Sequence, residues 1–290
     1  MKTAGFTIIR NAVINDYPVT EAIRSILPLV DEMVVLIGNC DDDTEALIGS
    51  IGSPKIRIYH SQWDPEHFIG GKILAVETDK ALRLISPDCD WAFYIQADEV
   101  IHEKYHPAIR EALIKFKDDQ KVEGLLFHYL HFYGTYDYVG DSRKWYNKEI
   151  RIIRNIPGIH AYRDAQGFRK NGNKLHVKEI AASVYHYGWV KNPRQMMTKK
   201  KNLAGYWQEQ NPTEKAKNEP ELFDYTQFDS LVHFEGTHPK VMEDRIANQN
   251  WSIAIDLSKK QFTLKGALLY WIEKHTGKRL FDYKNYRIIR

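Results

Sequence analysis

Short apolar runs, each closed abruptly by polar residues, alternate with amphipathic stretches through the first hundred positions. The run at 6–9 ends on Arg10-Asn11. Positions 19–30 carry Ala22, Ile23, Ile26, Leu27 and Val30 at helical spacing, with Thr20 as the expected cap. A second buried strand is predicted at 33–37, closed by Gly38-Asn39, after which Asp43 or Thr44 can cap a helix holding Ala46, Leu47 and Ile48. A third strand is expected at 55–59 and a second long amphipathic helix at 73–85. Trp91, Ala92, Phe93, Tyr94 and Ile95 form a fourth apolar run, three of its five residues aromatic. Strands and helices in strict alternation predict a mostly parallel sheet with right-handed crossovers, the architecture of nucleotide-binding α/β folds.

The second half changes character. Runs at 124–132, 149–154 and 182–187 predict strands with little helix between them, hence an antiparallel or mixed part of the same sheet. From Pro193 the chain turns helical and basic, with Lys199-Lys200-Lys201. The polar stretch 209–221 holds two prolines and is the expected linker. Amphipathic helices are expected near 241–257 and 262–275. The predicted organisation is one α/β region at 1–208, in two parts (1–100 and 101–208), then a linker and helical extension at 209–290.

Composition narrows the class. With 290 residues and 43% hydrophobic content the chain can bury a full α/β core. A net charge of +3 gives no case for nucleic acid as a partner. Cys40 and Cys89 show no pairing pattern, which fits a reducing compartment; the absence of a signal-peptide core and of any run near the ~20 residues of a membrane span predicts a cytoplasmic protein. The last predicted helix joins Phe262, Leu264, Leu268, Trp271 and Ile272 to Lys259, Lys260, Lys265, Lys274 and Lys278. It either packs on the α/β region or rests on the inner face of a membrane.

The fourth run carries the chemistry. It ends on Gln96-Ala97-Asp98-Glu99, and ligands of open α/β sheets sit just beyond the carboxyl ends of strands. A carboxylate in that position is costly to desolvate unless a cation or donor meets it. The residues point either to a divalent-metal site for a phosphorylated ligand or to a solvated acidic turn.

Three segments in order carry a resemblance to a known family. Phe6-Thr7-Ile8-Ile9-Arg10-Asn11 resembles the opening strand of family 2 glycosyltransferases with the GT-A fold. Asp31 to Thr44 is similar to that family's "DEIVVVD-x-x-S-x-D-x-T" segment, and Ile95-Gln96-Ala97-Asp98-Glu99 sits where the family has "LDADE", its DxD element. Arg151-Ile152-Ile153-Arg154-Asn155 is similar to the "RLFRN" strand of bacterial members that modify surface polysaccharide, and Tyr185-His186-Tyr187 resembles their later "HY" segment. Two departures stand out. Ile37 replaces the aspartate that receives the uracil N3–H, so the base is left open; Gln96 replaces the first aspartate of DxD.

The resemblance implies a GT-A-like α/β fold and transfer of a sugar from a nucleotide-sugar donor to a saccharide or lipid-linked acceptor, with inversion, assisted by Mn²⁺ or Mg²⁺. Metal ligation would fall to Asp98, with His186 as a further ligand. Nucleotide-sugar contacts are expected from Arg10, Asn11, Gly38, Asn39, Asp42, Gly71, Lys72, Asp79, Gln96, Asp98 and Glu99. The general base is expected at Asp164, with Glu149 second. Arg163 or Arg169 could instead tie Asp164 into a salt bridge. Sugars stack on aromatic faces, which makes Tyr133, Tyr136 and Trp145 candidates for the acceptor. Two other functions fit parts of the pattern: a non-catalytic saccharide-binding relative, which Ile37 and Gln96 suggest, and a nucleotidyltransferase, which would need a glycine-rich loop where Arg10-Asn11-Ala12-Val13 stands.

Overall fold

A computed structural model describes residues 1–207 and 220–289. β1 (Thr3–Ile9) and β2 (Glu32–Ile37) are buried at every position, as strands covered on both faces should be. They run parallel to each other and to β3 (Ile56–His60), with Ile9, Ile37 and His60 in register. The crossover helices are α1 (Val19–Ile26), α2 (Thr44–Gly49) and α3 (Lys72–Arg83). α1 ends earlier than the apolar spacing predicts because Pro28 lacks the N–H that would continue it, and a 3₁₀ turn follows. Thr20 does not cap α1; Pro18 holds that position and the Thr20 hydroxyl donates to Glu21.

β4 (Trp91–Tyr94) lies on the other side of β1, Phe6 beside Tyr94. The order β3-β2-β1-β4 therefore reverses direction between β1 and β4, and their carboxyl ends open a crevice.

After the short β5 (Glu99–Ile101) and α4 (His106–Lys115), the sheet continues through β6 (Gly124–Gly134), β7 (Tyr138–Gly140) and β8 (Lys148–Arg154). β8 pairs antiparallel with both β4 and β6, which makes the sheet mixed, as the second-half pattern predicts. β9 (Ile159–Tyr162), β10 (Gly167–Lys170) and β11 (Asn173–Lys174) form a small separate sheet. β12 (His176–Val190) then runs parallel to β6 and antiparallel to β5, with His186 opposite both Glu99 and His131. α5 (Pro193–Ala204) folds back over the crevice; Asn192 caps it, its side chain accepting from Arg194 N.

The expected linker falls largely on 209–219, outside the described residues. Beyond it β13 (Leu231–His233) pairs with β7, and β14 (Arg287–Ile288) pairs with β12. The helix expected at 241–257 is corrected. Only α6 (Glu243–Ala247) is α-helical, while Ile253, Ile255 and Leu257 pack at two-residue spacing against Tyr133, Tyr225 and Phe228. α7 (Leu264–Thr276) is present, started by the Thr263 hydroxyl accepting from Gly266 N. Its inner side bonds Asp141 through Tyr270 and Lys274, and Arg143 through Glu273. Its outer side leaves Leu264, Leu268 and Trp271 exposed, at 94%, 59% and 57%. No helix among the described residues is long and apolar enough to cross a membrane.

Candidate active site

The two carboxylates at the tip of β4 part company. Glu99 begins β5 and turns into the core, where it is fully buried. Arg151 Nε and Nη2 grip its oxygens at 2.8 and 2.7 Å, Tyr129 Oη donates at 2.7 Å and Gln96 N at 3.1 Å. Four donors saturate the carboxylate, so Glu99 braces the turn. Its expected place among nucleotide-sugar contacts is thereby corrected.

Asp98 faces the crevice instead. Its backbone oxygen accepts from Tyr187 N at 2.8 Å, which fastens the turn to β12. Lys199 Nζ, reaching down from α5, donates to Asp98 Oδ2 at 3.0 Å and to Gly188 O at 2.8 Å. His186 Nε2 stands 3.7 Å from Asp98 Oδ1. Burial would raise the Asp98 pKa, but Lys199 and His186 outweigh it and hold the carboxyl well below the usual range. Burial lowers the His186 pKa against the pull of Asp98, so the ring is neutral near pH 7. Gly188 makes the arrangement possible. A Cβ there would sit 2.6 Å from Asp98 Oδ2 and 2.9 Å from His186 Nε2.

These groups line a cleft of about 220 Å³ at the β1/β4 crevice, together with Arg10, Gln96, Asp164, Trp63 and Tyr206. Arg10 Nε donates to Asn39 O at 3.0 Å, which aims the guanidinium along the cleft mouth. Trp63 and Tyr206 form an aromatic wall, ring centroids 5.3 Å apart, and the buried Trp63 Nε1 has no hydrogen-bond partner among the described residues. A second cleft of about 490 Å³, lined by Gly70, Lys72, Asp79, Arg163 and Gln166, shares Asp164 as a common wall. Asp164 sits between Arg163 and Ala165, both at positive φ (58° and 59°), a conformation costing non-glycine residues about 1–3 kcal/mol each and found often at functional sites. Arg169 turns away to Asn285 O and Tyr283, and Asp164 makes no ion pair among the described residues.

Of the residues expected from sequence, Arg10, Gln96, Asp98, Asp164 and His186 thus meet in one cleft, and Lys72 and Asp79 line its neighbour. Gly71, at φ 71°, is the left-handed residue that starts α3. Others are occupied with the fold. Asn11 exchanges hydrogen bonds with Asp41, and Asp42 accepts from Ile14 N and Thr44. Gly38 leaves room for Trp63, whose Nε1 would lie 2.5 Å from a Cβ at that position. Tyr133 and Tyr136 are corrected as acceptor contacts: both are buried in aromatic clusters, 3% and 4% exposed. Trp145 is half-buried against His131. Glu149 is buried, its Oε2 without a partner among the described residues, and outside both clefts.

Sequence reasoning missed Lys199 and the Trp63–Tyr206 wall. The lysine run resembles a solvated face, yet Met196, Met197 and Lys199 form the buried side of α5. That helical spacing is the signal that could have found it.

The donor set fits a divalent cation. An ionised carboxylate oxygen and a neutral imidazole nitrogen 3.7 Å apart can both reach an ion whose bonds to oxygen and nitrogen are about 2.0–2.3 Å. Among the described residues no three His, Cys, Asp or Glu side chains converge as a metal-ligand set. An ion held by Asp98 and His186 would complete its shell from ligand oxygens and water.

No protein-family model and no curated protein matches the sequence. Solved structures do resemble it. S. aureus TarS aligns at 17% identity over 70% of this chain and 39% of its own, with a TM-score of 0.42. TarS 1-349 in complex with UDP-GlcNAc aligns at 21% identity over 46% and 36%, TM-score 0.33. Glucosyl-3-phosphoglycerate synthase from Mycobacterium tuberculosis, in complex with Mg²⁺ and UDP, aligns at 22% identity over 45% and 43%, TM-score 0.31. The chain spans about two fifths of the length of these proteins.

Proposed function

We propose that this chain is a glycosyltransferase that moves a sugar from a nucleoside-diphosphate donor to a saccharide or lipid-linked acceptor, with inversion and with a divalent cation, Mn²⁺ or Mg²⁺, held by Asp98 and His186. One observation carries the reading. At the switch point of the sheet, an ionised carboxylate, a neutral imidazole and two cationic side chains, Lys199 and Arg10, surround one cleft. That combination suits a diphosphate, whose departure loads negative charge onto its oxygens. The cation, when bound, would supply positive charge there. Lys199 and Arg10 add donors whose orientation is set before the reaction.

Asp164 is the proposed base. Its carboxylate takes the proton from the acceptor hydroxyl while that oxygen attacks the anomeric carbon. The bond to the diphosphate breaks on the opposite face, and its electron pair leaves with the phosphate. Two clefts meeting at Asp164 give donor and acceptor separate approaches to it. The base of the nucleotide is open, because the buried Ile37 side chain offers no acceptor for uracil N3–H.

The exposed face of α7 is proposed to meet an anionic membrane surface, where a lipid-linked acceptor would lie. Leu264, Leu268 and Trp271 supply the apolar stripe, and exposed Lys259, Lys265 and Lys278 the charge.

Calorimetric titration of UDP, GDP, CDP, ADP and dTDP, each with and without Mn²⁺, tests the central reading. At least one should bind with Mn²⁺, and Asp98→Ala should abolish the Mn²⁺-dependent part. No binding by any of them would overturn it.

A further inference from the structure

His131 lies on β6 directly beside His186 on β12, only 3% exposed. Its ring is clamped: it stacks on Trp145 and Tyr129, interplanar angle 27° in each case, and meets Tyr146 edge-on at 4.4 Å between centroids. Its Nε2 lies 2.8 Å from the Tyr146 carbonyl oxygen. A carbonyl only accepts, so that nitrogen carries the proton. With Nε2–H given to that carbonyl, the other ring nitrogen, Nδ1, is the acceptor of the neutral ring. That Nδ1 lies 3.4 Å from His186 Nδ1. Two neutral imidazoles can satisfy this contact in one way: His186 Nδ1–H donates and His131 Nδ1 accepts. The proton of His186 is then spent on the side away from the cleft. Its Nε2 lone pair faces Asp98 Oδ1 across 3.7 Å, one acceptor opposite another, while Lys199 Nζ holds the far oxygen, Oδ2.

We infer that His131 is a positioning residue: the relay Tyr146 carbonyl–His131–His186 fixes the Nδ1–H tautomer of His186, and so keeps its Nε2 lone pair presented to a cation shared with Asp98. This role rests on the proposed reading of the cleft as a diphosphate and cation site. Partners of this kind around a ligating histidine typically change metal affinity by about 10- to 100-fold when removed. The alternative tautomer, Nε2–H on His186, would place a hydrogen toward Asp98 and two lone pairs against each other at the His131 contact.

Two readouts besides activity test the role. In the metal-free wild type, long-range ¹⁵N–¹H correlation spectra, with His186 assigned through His186→Gln, should show Nδ1 of His186 protonated and Nε2 bare. Mn²⁺ titration by electron paramagnetic resonance, in the presence of the nucleoside diphosphate that binds best, should show affinity about 10- to 100-fold weaker in His131→Phe, which keeps an aromatic ring but no acceptor. His131→Gln should restore most of that affinity, because its amide can accept from His186 and donate to Tyr146. Thermal melts of both variants check that the fold is intact. Nε2–H on His186 in the wild type, or Mn²⁺ affinity unchanged in a folded His131→Phe, would overturn this role alone. A wild type that binds no Mn²⁺ with any nucleoside diphosphate would remove the cation reading, and the role with it.

Discussion

Lys199 Nζ and Asp98 Oδ2 lie 3.0 Å apart and join α5 to the acidic turn across 101 positions of sequence. The pair is nearly sealed from water, with side-chain exposures of 9% and 14%. Removing one partner of such a pair strands a buried charge, at a cost of about 3–5 kcal/mol, whereas apolar replacement of both is often neutral. Asp98→Leu should therefore melt well below the wild type, and the double variant Asp98→Leu/Lys199→Met should recover most of the loss while binding no nucleotide. Chemical denaturation of the three proteins checks this; a double variant as unstable as the single one would contradict it.

Gly188 is needed for a different reason. It is not at a positive φ; what matters is that a Cβ would press on Asp98 Oδ2 and on His186 together. Gly188→Ala should fold, since the crowded atoms are side chains that can shift. It should weaken Mn²⁺-dependent nucleotide binding by about tenfold or more, as displaced ligands do. Calorimetry on the folded variant reads it directly.

What the sequence showed of this site and what it hid have physical causes. β1, β2 and β4 were legible because each is an apolar run cut off by polar residues, and the cleft forms where those runs end. Asp98 could be found for that reason; His186 was picked out by the Tyr185-His186-Tyr187 segment and lies inside β12, not at a strand end. Lys199 could not, because a lysine run reads as a solvated face unless its partner is known, and that partner lies 101 positions away in the sequence. Ile253, Ile255 and Leu257 were read as helix although their spacing of two is that of an extended segment lying on an aromatic cluster. Tyr133 and Tyr136 show the limit of composition: an aromatic segment looks alike whether it meets a sugar or other aromatic rings.

The proposed base can be separated from the binding groups. Asp164 faces both clefts without an ion-pair partner among the described residues. Asp164→Asn keeps the shape and one accepting oxygen but cannot take a proton. General-base catalysis typically contributes about 10²- to 10⁴-fold in rate, so kcat should fall by that order while nucleotide affinity stays within a few fold. Steady-state turnover set beside calorimetry distinguishes this from a binding defect, in which affinity would fall too.

The exposed stripe of α7 predicts behaviour with lipid. Leu264, Leu268 and Trp271 are spaced four and three residues apart, so they share one face of the helix. Co-sedimentation with vesicles containing anionic lipid should retain the protein at low salt and release it as ionic strength rises. Trp271→Ser should weaken retention without altering the melting temperature, since the ring is more than half exposed. Equal retention by uncharged vesicles would argue against the charge complementarity.

Glu149 marks a place where the fold bears an electrostatic cost. Burial pushes its carboxyl up to about 8; Arg151 opposes this, while Glu99 and Asp164 add to it. Its Oε2 has no hydrogen-bond partner among the described residues, and it flanks Gly167 together with Asn285. In the unfolded chain the same group titrates near its ordinary value of about 4.3. Between those two values the folded protein holds a proton that the unfolded chain has released. Stability must then fall as pH rises from about 4.5 to about 8, by up to about 1.4 kcal/mol per unit from this group, and level off above. Glu149→Gln is neutral at every pH and removes that slope. Its melting temperature should exceed the wild type's at pH 8.5 and converge with it below about pH 4, where Glu149 is largely protonated in the folded and the unfolded chain alike. Parallel melting curves across that range would mean that Glu149 is ionised in the folded protein and finds a partner there.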